Sequence, residues 1–170
     1  PIMPHRTREV RFSEPYVEAG LVLVAPVEQA ANFAATTAQR GEVGPWLGQI
    51  LAGRRLAVEW GSEGDAWART VPATSAVQLV LRDSAEAALE AVTAGEADAA
   101  IVDAISLALH NRAGKRLAIV GQPLRSDPYA IIVPADAPDL LREVNAALAA
   151  LRADGTLAGL KARWLEEDAP

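Results

Sequence analysis

The sequence predicts an α/β fold in which helices cover both sides of a mostly parallel sheet. Two observations lead to this class. Apolar runs of strand length alternate along the chain with helical patterns. Within these runs successive residues are apolar, so both faces of each strand are expected to be buried, which is typical of parallel sheets with helical crossovers.

Six segments have the length and composition of strands. They are residues 21–25, 56–60, 76–81, 99–102, 117–120 and 130–133. Pro15 and Pro134 limit the first and the last of these strands, because proline cannot donate a hydrogen bond to a sheet ladder.

Helical patterns lie between these strands. The best ones cover residues 84–93, 103–111, 139–153 and 156–165. In the first, Asp83 with Glu86 three residues later is the signature of a capping box, and Gly95 supplies the stop. Residues 27–53 are less regular: a helix is expected over 30–35, and Gly41, Gly44 and Pro45 are expected to interrupt the segment after it.

The composition disfavours several classes of partner and site. Its 170 residues, 51% of them hydrophobic, are enough for the core of one or two small domains. The net charge of −6 makes nucleic acid and anionic membranes poor partners. Without cysteine there are no disulfides or thiolate metal sites, and His5 and His110 are too far apart in sequence to suggest a metal. We therefore expect no cofactor and no metal, and the sequence contains no membrane-length apolar run or secretory signal.

The segment Gly61-Ser62-Glu63 follows a strand and opens a helix. Such a turn presents free backbone N–H groups and the positive end of the helix dipole, which suits a carboxylate or phosphate. The alternative is an ordinary strand-to-helix turn. The glycine spacing fits neither phosphate-loop pattern, and no lysine follows.

Asp103 stands where an apolar strand ends. Ligands of parallel α/β sheets collect outside the carboxyl ends of strands, where an aspartate can accept hydrogen bonds from an ammonium group. Alternatively, Asp103 only caps the next helix.

Other candidate residues are less specific. Arg6 can hold a carboxylate through a bidentate pair, or it is a solvated side chain. Trp46, Trp60 and Trp67 flank the Gly61 turn in sequence and are either packing residues or an aromatic wall. No Ser-His-Asp grouping is present, so no catalytic residue is assigned.

Four segments resemble, in order and spacing, the family 3 extracellular solute-binding proteins, which mostly serve amino-acid ABC transporters. Residues 6–20 (with Phe-Ser-Glu-Pro-Tyr) resemble the segment before that family's first crossover strand. Residues 51–62 resemble its LxGKxVxVxxGT element, and residues 88–99 its ALxxGxxDA passage. Residues 145–164 resemble its closing helices.

The resemblance implies a periplasmic-binding-protein-like fold of type II. In that fold two α/β lobes are joined by two crossing strands, and hinge closure traps the ligand. Residues 1–20 would be a remnant of the first lobe with the first crossover. Residues 21–128 would form the second lobe, and residues 129–170 the return strand and the C-terminal helices of the first lobe.

The resemblance also implies a function. The protein would capture a small polar solute, most often an amino acid, for an ABC permease. It would work in the periplasm or as a membrane-anchored extracellular protein, without enzymatic activity.

Ligand contacts follow from the resemblance residue by residue. Arg6 would hold the ligand carboxylate from the first lobe, while the Ser62 hydroxyl and the adjacent backbone amides would hold it from the second, and Gly61 is also an expected binding residue. Asp103 would pair with the ammonium group. Trp60 and Glu63 complete the expected binding residues, and Glu59 and Glu63 either favour a basic side chain or are solvated carboxylates.

This sequence also departs from the family pattern. The first strand-helix-strand unit of the first lobe is missing, and residues 1–4 (Pro-Ile-Met-Pro) stand where Thr-x-Thr is common. The closing helices would pack on that unit, and their apolar face consists of Leu140, Leu141, Val144, Leu148 and Leu151. We therefore expect either a fragment, or a swapped or associated chain that supplies the missing part.

Two alternatives on the same fold stay open. One is an enzyme that resembles the periplasmic cyclohexadienyl dehydratases, with a cleft carboxylate such as Glu63 as general acid, which requires a raised pKa. The other is the ligand-sensing domain of a membrane receptor.

Overall fold

The computed structural model describes residues 10–34, 43–114 and 116–166. The chain divides into two compact units. Among the described residues, the first unit contains 10–19 and 126–166, and the second contains 20–34, 43–114 and 116–125.

Strands and helices alternate along the described ranges. The strands are β1 (Val10–Phe12), β2 (Val17–Pro26), β3 (Arg55–Glu59), β4 (Gln78–Arg82), β5 (Ala99–Asp103), β6 (Leu117–Ile119), β7 (Arg125–Tyr129) and β8 (Ile132–Pro134). The helices are α1 (Val27–Ala34), α2 (Val43–Ile50), α3 (Glu63–Ala68), α4 (Ala85–Thr93), α5 (Ala104–Arg112), α6 (Pro138–Ala153) and α7 (Thr156–Lys161). A 3₁₀ turn covers Ala73–Ser75, and a π-helical turn follows α7 at Ala162–Glu166.

The larger sheet has the strand order β4-β3-β5-β2-β6, and β7 also pairs with β2. The strands β3, β4 and β5 are parallel to one another. The strand β2 is antiparallel to both β5 and β6. The sheet is therefore mixed and mostly parallel, which confirms the predicted α/β class.

Two apolar clusters cover the two faces of this sheet. Alternate residues of β2 and β5 enter different clusters, with Leu23 and Ile101 on the side of α2, and Val22 and Val102 on the side of α4. Both central strands are thus buried on both faces, as their continuous apolar runs predict.

The start of α4 differs by one residue from the predicted capping box. Ser84, rather than Asp83, is the N-cap, and its Oγ accepts a hydrogen bond from the Ala87 N–H at 3.1 Å. Because the helix begins at Ala85, Asp83 lies outside it and cannot form the box. The predicted stop is confirmed, since Gly95 follows the last turn with a positive φ of 73°.

The helix α2 corrects a second prediction. Gly44 and Pro45 do not interrupt the chain but lie in the first turn of α2. Proline is tolerated there because the first N–H groups of a helix have no partner within it. The following residues Trp46 and Leu47 are buried in the core.

An ion pair connects the amino ends of β3 and β5. Asp98 accepts hydrogen bonds from the Arg55 backbone N–H at 2.8 Å and from its Nη2 at 2.9 Å. The side-chain hydrogen bond from Arg55 is the main cause that lowers the pKa of Asp98, and it outweighs the opposing effect of partial burial.

The first unit is built around a short antiparallel pair. β1 pairs with β8, with Phe12 opposite Ile132. The helix α6 contacts the segment after β1 through polar groups. The Glu14 N–H donates to Asn145 Oδ1 at 2.9 Å, and Arg152 Nη2 donates to the Pro15 carbonyl at 2.7 Å.

The apolar face expected on α6 is partly buried and partly open. Leu148 is buried, and Leu141 and Val144 are half-buried. Leu140 and Leu151 keep 45% and 37% of their surface exposed. Within the described ranges no helix has the length and apolar character to span a bilayer.

We predict that Asp98→Asn lowers the free energy of unfolding by about 1–2 kcal/mol near pH 7, measured by urea denaturation, because the Arg55 N–H groups lose a charged acceptor. The pKa of Asp98 is lowered from 3.8 in the folded state. The stabilisation by ionised Asp98 is therefore fully present above pH 3.8 and is lost as the pH falls through the pKa of the folded state. The difference in stability between Asp98→Asn and the wild type should therefore shrink below pH 3.8.

Glu96→Gln is the matched control, because Glu96 forms a more exposed ion pair with Arg82 in the same unit. Its effect should stay below about 0.5 kcal/mol. Equal losses in the two variants, or a constant Asp98→Asn effect across this pH range, would contradict the assignment.

Candidate functional site

The carboxyl ends of β3 and β5 meet at one edge of the larger sheet. The two strands are parallel and in register, with Val58 opposite Ile101. The antiparallel strand β2 places Leu21 opposite Asp103. The turn after β3 and the residue that ends β5 therefore follow neighbouring strands at the same edge, where ligands of open α/β sheets bind.

A hydrogen-bonded turn leads from β3 into α3. Gly61 has a φ of 72°, a conformation that favours glycine, and the Ser62 N–H donates to the Glu59 carbonyl at 3.2 Å. Ser62 is the N-cap of α3, and its Oγ accepts from the Asp65 N–H at 3.1 Å. The expected strand-to-helix turn is thus present, and its serine also caps the helix.

Asp65 holds this turn from inside. Its side chain is buried, and its carboxylate accepts from the Gly61 N–H at 3.1 Å and pairs with Arg69 Nε at 2.9 Å. The hydrogen bond from Arg69 is the main cause that lowers the pKa of Asp65, and the Gly61 N–H acts in the same direction. Asp65 therefore stays ionised, and its carboxylate stabilises the turn through these contacts.

Gly64 sets how closely α3 approaches β5. A Cβ atom at this position would lie 2.8 Å from the backbone oxygen of Ile101 and 3.2 Å from its Cγ2. A backbone carbonyl in a buried strand cannot move away, so only glycine allows the first turn of α3 to lie against β5.

Glu63 forms an ion pair with Arg125 Nη1, and the two side chains are partly exposed. The arginine offsets the negative charge of Glu63 at this edge. The pair also connects α3 to the first residue of β7.

Asp103 ends β5 and caps α5. Its Oδ1 accepts from the Ser106 N–H at 2.9 Å, and its Oδ2 accepts from Ser106 Oγ at 2.6 Å. The capping interpretation is therefore correct. The two hydrogen bonds from Ser106 leave acceptor positions unoccupied, because the two oxygens of a carboxylate have about four lone-pair positions.

Of the three tryptophans near the turn in sequence, only Trp60 is exposed. It shows 71% of its surface, while Trp46 is buried in the core and Trp67 packs against it. The Trp60 N–H donates to the Arg82 carbonyl at 2.8 Å, which fixes its backbone at the end of β3. An indole held in water at this edge is available for contact with a ligand.

The structure brings five of the six predicted site residues together at this edge, namely Trp60, Gly61, Ser62, Glu63 and Asp103. The sixth, Arg6, lies outside the described residues.

Three further residues support the site and were not singled out in the sequence, namely Gly64, Asp65 and Arg125. For Asp65 a signal exists, because its four-residue spacing from Arg69 is typical of a helical ion pair. Arg125 is distant in sequence and gives no such signal. Among the described residues no group of histidine and acidic side chains is arranged to hold a metal ion.

A family model for the bacterial extracellular solute-binding proteins, family 3, matches residues 1–167. The chain belongs to this family, and the resemblance found in its motifs is confirmed.

Curated relatives agree with the family. The chain is 25% identical over 167 residues to the ABC transporter glutamine-binding protein GlnH of Bacillus subtilis (strain 168), and the match covers 98% of this chain. It is 26% identical over 168 residues to the L-cystine-binding protein TcyJ of Escherichia coli (strain K12), again over 98% of this chain. The chain spans only 56% and 58% of the length of these two relatives.

Solved structures confirm the fold as that of the type II periplasmic binding proteins. A mutant of ArgBP from T. maritima has 26% identity and a TM-score of 0.66, and the match covers 98% of this chain and 66% of that one. An ancestral arginine-binding protein bound to arginine has 25% identity and a TM-score of 0.63, over 96% of this chain and 67% of that one.

We predict that Gly64→Ala lowers the free energy of unfolding by about 1–3 kcal/mol, because the added methyl group overlaps the Ile101 carbonyl. Gly159→Ala is the matched control, since Gly159 is also helical and a Cβ there meets nothing within 4 Å. That variant should gain about 0.5–1 kcal/mol from helix propensity. Urea denaturation measures both variants, and a Gly64→Ala variant that is as stable as the wild type or more stable would show that Gly64 has no special packing role.

Proposed function

We propose that this chain carries the ligand-contacting part of an extracytoplasmic solute-binding protein that captures an amino acid for an ABC transporter. The observation that carries the proposal is the placement of the Ser62 turn and of Asp103 at the ends of neighbouring strands. The Ser62 turn offers hydrogen-bond donors and Asp103 offers acceptors, so the two together complement the carboxylate and the ammonium group of a zwitterion.

The donors suit a carboxylate. The Ser62 Oγ accepts from the Asp65 N–H, so the hydroxyl proton itself is left to donate. No acceptor for that proton lies among the described residues of the site. The positive end of α3 and the free N–H groups of its first turn add to the attraction.

The acceptor suits an ammonium group. Ser106 supplies two hydrogen bonds to Asp103, and the remaining lone pairs of the carboxylate can accept from a ligand. Asp103 faces no arginine or lysine in an ion pair among the described residues, so its charge is not offset by one. Trp60 would contact the ligand side chain through its exposed indole.

Glu63 gives no reason to favour a basic amino acid as the ligand over other amino acids. Arg125 already pairs with that carboxylate. The relatives named above bind glutamine, L-cystine and arginine according to their names, so we propose the amino-acid class and no single member.

Binding rather than catalysis is the activity we propose. The pKa values of the carboxyl groups of Asp65, Asp98 and Asp154 are lowered. A general acid needs the opposite shift. In line with the family, we place the protein outside the cytoplasm and propose an ABC permease as its partner.

A thermal-shift screen with each of the 20 common amino acids tests the proposal. A ligand at 100 times its dissociation constant stabilises the folded state by about 2.7 kcal/mol, which raises the melting temperature by several degrees in a domain of this size. No shift with any amino acid would contradict the proposal.

Two N-cap serines offer a matched pair of variants. Ser62 and Ser84 each cap a helix through a 3.1 Å hydrogen bond, but only Ser62 lies in the proposed site. We predict that Ser62→Ala and Ser84→Ala each cost about 1 kcal/mol of stability. Ser62→Ala should also weaken ligand binding about tenfold by calorimetry, because one hydrogen bond to a charged group is lost.

Ser84→Ala should leave the dissociation constant unchanged. Asp103→Asn should weaken binding of the amino acid by at least the same factor, since it removes the charge that faces the ammonium group. If Ser62→Ala and Ser84→Ala bind ligand equally well, the site lies elsewhere.

A further inference from the structure

The strand β4 forms an open edge of the larger sheet. It stands at one end of the strand order, and among the described residues it pairs with β3 alone. This pairing is regular over all five residues, from Gln78 to Arg82. Edge strands are usually protected by proline, by lysine, by a bulge or by being very short, as β6 is at the other end with three residues. β4, with the sequence Gln-Leu-Val-Leu-Arg, has none of these features.

Two hydrogen bonds fix which main-chain groups of β4 face the open side. The Gln78 N–H donates to the Arg54 carbonyl at 2.9 Å, and the Arg82 carbonyl accepts from the N–H of the residue after β3 at 2.8 Å. Because successive residues of a strand direct their N–H and C=O groups to opposite sides, the even-numbered residues of β4 face β3. Leu79 and Leu81 therefore direct their N–H and C=O groups away from β3. Four main-chain groups are thus left for a further strand.

The side chains of the same two leucines lie beside a pocket. Leu79 and Leu81 expose 37% and 43% of their surface, and alternation along the strand places them on one face of the sheet. On that face Leu79 lines a pocket of about 160 Å³ together with Val77 and with Ala68 of α3. Val80 points to the other face and packs against the apolar cluster on the side of α4. Exposed leucines on an unprotected strand edge mark a surface for another chain.

We propose that β4 pairs with β4 of a second copy of this chain, antiparallel and with the two-fold axis at Val80. In this register Leu79 of each copy lies opposite Leu81 of the other. Each of these two pairs exchanges two N–H···O=C bonds, so all four free groups of each edge are used. Gln78 lies opposite Arg82, so no like charges meet. The two-fold axis closes the assembly at two copies and joins the two sheets into one.

The side chains fit the same register. Leu81 of one copy lies beside Leu79 of the other and covers the pocket that Leu79 lines. Asp83, which is exposed and follows β4, comes opposite Val77 of the other copy. Val77 lines the pocket together with Arg69, whose side chain is partly exposed, so a carboxylate meets a guanidinium there. A second β4 supplies all of these contacts at once, which is the reason for naming another copy of this chain as the partner.

This pairing is independent of the proposed amino-acid site. It runs along the side of the sheet, whereas the site lies at the carboxyl ends of β3 and β5. A variant that no longer dimerises should therefore bind an amino acid with unchanged affinity. The dimer and the proposed function can each fail without the other.

Sedimentation equilibrium over a series of protein concentrations tests the dimer. Because two five-residue strands form a small interface, we expect a weak dimer with a dissociation constant between about 10 µM and about 1 mM. The limiting mass should be twice the 17.9 kDa of one chain. A mass that stays at one chain up to about 1 mM, or that grows beyond two chains, overturns the proposal.

Leu81→Lys is the disrupting variant, and it should raise the dissociation constant at least about tenfold because two leucine pairs are lost. Ile119→Lys is the matched control. Ile119 has the same exposed fraction of 43% but lies in β6 at the opposite edge of the sheet. That variant should dimerise like the wild type, and equal effects of the two substitutions would show that β4 is not the interface.

Two opposite charges test the register. Leu79→Glu alone and Leu81→Lys alone each place two charged side chains opposite leucine. In an equal mixture, a heterodimer pairs the introduced carboxylate with the introduced ammonium group and keeps one leucine pair. The mixture should therefore dimerise at least about tenfold more tightly than either variant alone. No gain on mixing contradicts the two-fold axis at Val80.

Amide hydrogen exchange of the unmodified chain gives a readout that needs no variant. The amides of Gln78, Val80 and Arg82 face β3 and should be protected at every protein concentration. The amides of Leu79 and Leu81 should exchange freely in dilute solution and become at least about tenfold slower well above the dissociation constant. If these two amides exchange at the same rate at all concentrations, the edge of β4 is not paired and the proposal is wrong.

Discussion

The strand β5 is the constraint on which the rest of the second unit depends. It is buried on both faces and is hydrogen-bonded to β3 on one side and to β2 on the other. The first turn of α3 approaches its backbone at Ile101, which only Gly64 permits. Its last residue, Asp103, starts α5. Because β5 positions both the Ser62 turn and Asp103, the two polar groups of the proposed site are already placed in the absence of a ligand, which would lower the cost of binding.

The charges of the edge are arranged to leave these two groups available. The negative charge of Asp65 is offset by Arg69, and that of Glu63 by Arg125. These ion pairs stabilise the turn. They also offset the negative charges of Asp65 and Glu63, which would otherwise repel a ligand carboxylate. The groups left for a ligand are a hydroxyl proton and backbone N–H groups at the helix start, and the acceptor positions of Asp103. This separation of donor and acceptor between two neighbouring strand ends is the basis for the proposed amino-acid ligand.

Local patterns in the sequence predict much of this arrangement. Continuous apolar runs identify β2 and β5, and the position of Asp103 after such a run places it at a strand end. The direction of β2 is not encoded in that pattern, because a strand buried on both faces reads alike in either direction. The predicted cap of α4 is one residue early, since Asp83 and Ser84 are both good N-caps. The place of Pro45 in a first turn depends on where α2 begins, which the local sequence does not mark. The Glu63–Arg125 pair depends on tertiary structure alone, and Arg6 lies outside the described residues.

The most direct test of the central claim is an NMR titration that follows the backbone amides with L-arginine and L-glutamine as separate probes. We predict that the largest chemical-shift changes fall on residues 61–65 and 103–106, at the ends of β3 and β5. Saturating changes confined to other residues, or no change with either probe or with any other common amino acid, would contradict the assignment of this edge as the binding site.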